Sequence, residues 1–214
     1  MFDFLEKKLV NLLVICLAVA CVIFLLFDDY LKLSGYLVSI LFIIMPGYLQ
    51  ANWLRFRAIF SADLVVRIQL ILAVSSFLNL LGSLDFYHVN QATLWYDSVV
   101  HFLNPLLLFC LTPILPMLWQ RFLFKRTSLV LTIVLNLCLA ILLSFTWEFY
   151  ESIIDSIFAS AIMFGQGGEV LYDTLTDLSA DGFGFIGASL LLYNNLYAYL
   201  LKHLNFNGKA VQSS

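Results

Sequence analysis

Apolar residues in this chain come in unbroken runs rather than on one helical face or at alternate positions. A helix needs about 20 mostly apolar residues to cross about 30 Å of hydrocarbon, and six stretches meet that length. The first runs from Leu9 to Phe27, bounded by Lys7-Lys8 and Asp28-Asp29. The second covers Leu33 to Ala51 and holds Gly35, Pro46 and Gly47; a membrane helix tolerates such a proline where neighbours satisfy the freed carbonyl. The third covers Leu64 to Leu81, its start polarised by Arg67 and Gln69. The fourth begins near Ser98 and ends near Trp119, interrupted by Asn104-Pro105, Pro113 and Pro116. The fifth is Leu129 to Trp147 and the sixth Phe183 to Leu201. Between these two, Glu148 to Gly182 mixes apolar turns with seven acidic residues and reads as short re-entrant or interfacial helices. The pattern predicts an all-α, polytopic membrane bundle of six transmembrane helices, forming a single domain over residues 1–214.

Composition excludes the soluble alternative. The chain is 62% hydrophobic and 12% charged, where a soluble domain carries about a quarter charged residues. Too few polar side chains exist to cover a water-facing surface, so a lipid bilayer is the expected partner. With a net charge of -3, no nucleic-acid partner is expected. Cys16, Cys21, Cys110 and Cys138 all lie within apolar runs, where small buried core residues are expected rather than disulfides. Ala18-Val19-Ala20-Cys21 resembles a lipoprotein processing site, but Val22 to Phe27 continues the apolar stretch and Asp3 and Glu6 spoil a basic leader. The first helix is therefore expected to be retained.

Cationic residues set the orientation. Lys7, Lys8, Arg55, Arg57, Arg67, Arg121, Lys125, Arg126, Lys202 and Lys209 fall on one side of a six-helix arrangement, leaving Lys32 on the other. The positive-inside rule makes that side cytoplasmic, with both termini on it. Trp53 and Trp119 then mark the inner interface and Trp95 and Trp147 the outer one.

The acids cluster at the opposite face. Asp85, Asp97, Glu148, Glu151, Asp155, Glu169, Asp173, Asp177 and Asp181 belong to the outer loops or outer helix ends, and no lysine or arginine in those loops offsets them. Carboxylates near hydrocarbon are costly unless paired, protonated or bound to a cation. Asp97 and His101 are four apart and share a helix face. Glu148 and Glu151 are three apart, with Asp155 continuing their stripe, and Asp173, Asp177 and Asp181 are spaced by four. Bundles that bind metals project carboxylates and imidazoles inward in this way. Asp97, His101, Glu148, Glu151, Asp173 and Asp177 are the candidate ligands for a divalent cation (Mg, Mn, Ca or Zn). Each stripe also has a plain reading as the wet end of a surface helix. Asp85, His88 and Glu169 read as loop residues.

Three motifs carry a resemblance. Tyr96-Asp97-Ser98-Val99-Val100-His101-Phe102 resembles the D-x-x-x-H-F signature of YjdF-type bacterial inner-membrane proteins. Trp147-Glu148-Phe149-Tyr150-Glu151 resembles their E-x-x-E element, and Gly165-Gln166-Gly167 with Asp173-Thr174-Leu175-Thr176-Asp177 their final element. More distantly, the order is similar to VanZ-like proteins, a family linked to glycopeptide-antibiotic resistance, although Glu151 stands where those proteins tend to have glutamine. The resemblance covers Trp95 to Gly187 and implies a bacterial plasma membrane. It supplies no substrate and no counterpart for Asp181.

The acids support a metal-dependent membrane hydrolase acting on a lipid or cell-envelope substrate, with Glu151 as catalytic general base. Two other readings fit the same residues. One is a cation- or proton-coupled transporter; the other is an envelope accessory protein whose cation is purely structural.

Overall fold

The computed structural model of the chain describes residues 2–86, 95–158 and 170–205. Nine α-helices are present among them. Four stretches are long and apolar enough to cross a membrane: Phe4–Leu26, Tyr30–Asn52, Ala62–Leu84 and Leu129–Tyr150. No more than a third of any of these windows is buried by the protein itself. Leu41, Phe42, Tyr48, Val130, Leu142 and Phe145 are all more than half exposed. Contiguous apolar surface on this scale is incompatible with water and suited to lipid tails. The chain divides into two compact units, residues 1–85 with 197–214, and residues 86–196.

The first unit is built on α1 (Phe2–Leu26), α2 (Tyr30–Asn52) and α4 (Ala62–Leu81). Val10, Leu13, Leu17, Ala20, Cys21 and Phe24 recur every three or four residues on α1 and form one buried stripe. That stripe packs against Tyr36 and Ile43 of α2 and Ala73 and Leu80 of α4. A tight turn joins α1 to α2: Asp28 takes a left-handed φ of 57°, and the Asp29 carboxylate caps α2 by accepting from the Lys32 N–H. Pro46 lies inside α2 without ending it. Three residues earlier, the Ile43 carbonyl accepts a 2.9 Å hydrogen bond from Gln69 Nε2 of α4. Glycine at position 47 makes room for that amide, since a Cβ there would lie 2.9 Å from Gln69 Nε2. After α2, the short α3 (Leu54–Ile59) carries Arg55 and Arg57. The α3–α4 junction is tied to α9 (Tyr197–His203) by a bridge between Phe60 and Leu204 and a 3.0 Å contact between Ser61 Oγ and His203 Nδ1.

The second unit holds α5 (Trp95–Leu108), α6 (Ile114–Phe124), α7 (Leu129–Phe158) and α8 (Val170–Leu191). Three boundaries differ from the sequence reading. The fourth apolar run is two helices, and the break falls at Phe109–Pro113 rather than at Pro105, which α5 absorbs. Pro113 explains the place, because proline disfavours helical geometry in the residue before it. The fifth run does not stop at Trp147; α7 continues to Phe158, since Leu129 to Phe158 contains neither Gly nor Pro. The sixth helical stretch begins at Val170 instead of Phe183. The described part of the segment expected as re-entrant or interfacial helices therefore belongs to the ends of α7 and α8. A π-helical turn, Leu192–Leu196, follows α8.

Packing within this unit depends on small residues. Ala140 of α7 and Ala188 of α8 are buried with Phe109 in one apolar cluster. Gly184 is the closest approach: a Cβ built on it would stand 2.4 Å from the Phe102 carbonyl oxygen of α5. The α5 and α8 backbones thus meet nearly in contact, as small residues permit between membrane helices. This contact fixes the register of α8 against α5 at the residue that follows His101.

Candidate metal centre

Asp97 and His101 sit one turn apart on α5, and Asp177 and Asp181 one turn apart on α8. The seam held by Gly184 turns the two pairs toward each other. His101 Nε2 lies 3.9 Å from Asp97 Oδ1 and 3.9 Å from Asp177 Oδ2. The other ring nitrogen, Nδ1, is 3.2 Å from Asp181 Oδ1. His101, Asp177 and Asp181 are each less than a tenth exposed.

A third helix closes the cluster. Ser144 of α7 donates its hydroxyl hydrogen to Asp181 Oδ2, so each oxygen of that carboxylate has its own partner. Glu148, one turn further along α7, is also buried. The residues at four-residue intervals on that face are Thr132, Asn136, Ala140, Ser144 and Glu148, all buried.

One ligand atom each from Asp97, His101 and Asp177 lies within 4.8 Å of the other two. Some point is therefore within about 2.8 Å of all three, and a small inward shift reaches metal–ligand lengths of about 2.0–2.6 Å. Three carboxylates surround one imidazole, a donor set that suits a divalent cation.

Of the residues expected to bind metal, the structure brings together Asp97, His101 and Asp177, and buries Glu148 on the neighbouring helix. The side chains of Glu151, Asp155 and Asp173 lie outside those described, as do those of Asp85 and Trp95 and the whole of His88 and Glu169. The sequence reading gives no role to Asp181, yet it makes the shortest contact to His101. Its signal was the same four-residue spacing that marks Asp177. Nothing in the sequence marks Ser144.

Fold and site together define a helical membrane protein with an Asp/His cluster buried between its helices. A family model described as "Predicted membrane protein (DUF2238)" matches residues 9–197. The chain belongs to that family. Neither the curated proteins nor the solved structures contain a match to it.

Proposed function

We propose that this is a divalent-cation-binding protein of the bacterial plasma membrane, with the cation (Mg, Mn, Ca or Zn) held by Asp97, His101 and Asp177, and that it hydrolyses a lipid or cell-envelope substrate. The observation that carries this is the convergence of three ligand atoms within 4.8 Å of one another in a seam between two helices. A bound cation would supply Lewis-acid activation of a phosphoryl or carbonyl oxygen. The chain's own groups do the rest. Asp97 and Asp177 hold negative charge against the imidazole. Glu148 adds a further carboxylate from α7, and Glu151, one turn beyond it, is the assigned general base on sequence grounds.

The proposed topology has six crossings, with both termini cytoplasmic and the cluster toward the outer leaflet. The α5–α6 pair forms the fourth crossing and the Phe183–Leu201 stretch the sixth. The placement of lysine and arginine supports this orientation. The YjdF-type likeness supports the membrane assignment.

The decisive test is elemental analysis of the detergent-purified protein, repeated on His101→Ala and Glu148→Ala. The expected result is a stoichiometric divalent metal in the parent and its loss in His101→Ala. Full retention in both variants removes the two residues from the site. A second reading, transport, has one favourable observation: the buried polar positions Thr132, Asn136, Ser144 and Glu148 along one face of α7. Ala140, packed with Phe109 and Ala188, interrupts that track with apolar side chains, which favours a site closed on one side.

A further inference from the structure

The two nitrogens of His101 face different surroundings. Nδ1 lies at 3.2 Å from Asp181, a hydrogen-bonding distance. Nε2 lies 3.9 Å from both Asp97 and Asp177, too long for a hydrogen bond. An N–metal–O bridge with bonds of about 2.0–2.1 Å and a tetrahedral angle spans about 3.4 Å, so the Nε2 side has room for a cation between donors. Both oxygens of Asp181 are engaged, by His101 and by Ser144, which leaves Asp181 as a partner of the histidine rather than a ligand.

We infer that Asp181, held by Ser144, is the positioning residue that keeps the His101 proton on Nδ1 and presents Nε2 to the cation, and that the site so built selects Zn²⁺ or a similar nitrogen-seeking dication over Mg²⁺ and Ca²⁺. This rests on the cation reading above. A carboxylate on the far nitrogen of a ligating histidine fixes its tautomer and ring orientation and strengthens it as a ligand. Selectivity follows from donor number and burial. Among the described residues the donors in reach of one point are Asp97, His101 and Asp177, and three protein donors with one open position is the arrangement of catalytic zinc sites. Ca²⁺ seeks about six to eight oxygens and Mg²⁺ a near-octahedral shell rich in water. His101 and Asp177, both more than nine-tenths buried, leave little space for such a shell.

The test measures Zn²⁺, Mg²⁺ and Ca²⁺ binding by calorimetry to the full-length protein in detergent, for the parent, Asp181→Asn and Ser144→Ala. The parent is expected to bind Zn²⁺ at least tenfold more tightly than Mg²⁺ or Ca²⁺. Asp181→Asn should weaken Zn²⁺ by about 10- to 100-fold while leaving the weak Mg²⁺ affinity little changed. Nitrogen-15 NMR of labelled histidine in the zinc-loaded protein, with His101 assigned from His101→Ala, should show the Nδ1–H tautomer in the parent and its loss in Asp181→Asn. If Asp181→Asn is not monodisperse, Ser144→Ala carries the test, with a smaller loss of Zn²⁺ affinity restored by Ser144→Thr. Zn²⁺ affinity within twofold of the parent in both variants, or Mg²⁺ and Ca²⁺ matching Zn²⁺ in the parent, overturns the inference and leaves the cation site standing. A parent that binds none of the three ions overturns the cation reading itself.

Discussion

Alanine substitution at three glycines of α8 separates backbone contact from helix propensity. Replacing Gly by Ala inside a helix is worth about 0.8–1.0 kcal/mol in propensity. At Gly182 the new methyl has nothing within 4 Å, so Gly182→Ala should be stabilising by about that amount. At Gly187 the new Cβ meets only Leu106 Cδ1, at 3.1 Å. The end of a leucine side chain can move aside, so the change should be close to neutral. At Gly184 it would stand 2.4 Å from the Phe102 carbonyl oxygen and 3.1 Å from the Leu106 nitrogen. Both are backbone atoms of α5, and neither can rotate away. Restoring ordinary contact requires the helices to separate by about 1 Å, an overpacking strain of about 1–3 kcal/mol that outweighs the propensity gain. The same movement would lengthen the 3.2 Å contact from Asp181 to His101 beyond hydrogen-bonding range. Thermal melting of the purified proteins in one detergent is therefore expected to rank Gly182→Ala highest, Gly187→Ala near the parent and Gly184→Ala lowest. Gly184→Ala alone should also lose cation affinity. A Gly184→Ala protein that melts at or above Gly182→Ala would refute the close approach of α5 and α8.

Other substitutions probe single polar links. Gln69→Leu removes the donor to the Ile43 carbonyl beside Pro46 and should cost about 0.5–1.5 kcal/mol, read by chemical or thermal unfolding in detergent. Tyr36→Phe keeps the ring stacked 5.5 Å from Phe24 but loses the 2.6 Å contact with Ser83; a loss of about 1 kcal/mol in the same assay is expected. Gln120→Leu should be more severe, at about 1–3 kcal/mol. This buried glutamine donates to Thr132 Oγ1 and accepts from the Ser128 N–H, so apolar replacement strands that N–H at the α6–α7 turn and leaves Thr132 Oγ1 with only its own bond to the Ser128 carbonyl. Asp97→Asn should weaken cation binding and cost the metal-free protein about 0.3–1 kcal/mol in thermal melting, because the lost charge sits at the first turn of α5, where an anion favours the helix.

Hydropathy located α1, α2, α4 and the start of α7 to within a few residues, except that α1 begins earlier, at Phe2, where Lys7 and Lys8 lower the apolar signal without breaking the helix. The reason is physical: along these stretches the surrounding lipid decides which side chains are tolerated, and a helix that faces it must be apolar along its length. The same signal failed at the far end of α7 and the start of α8. There polarity rises while backbone hydrogen bonding continues, and hydropathy reports only the first. At the site, the four-residue spacing of Asp97 and His101 fixed a shared face before any tertiary contact was known. Choosing between Asp177 and Asp181 required the register of α8 against α5. That register is set by the missing side chain at Gly184; a glycine in a membrane helix marks close packing in the sequence without naming the residue it meets.

The unbroken course of α7 has a mechanical consequence. Thirty residues rising about 1.5 Å each make a rod about 45 Å long, well beyond a hydrocarbon layer of about 30 Å. Without a flexible joint, hydrophobic mismatch with a thinner or thicker bilayer is met by tilting the whole rod. Ser144 travels with that tilt, and its hydroxyl is one of the two anchors on the Asp181 carboxylate. On the proposed cation reading, acyl-chain length is expected to act through Ser144 on the imidazole, and ion affinity in vesicles of graded lipid thickness would measure that coupling.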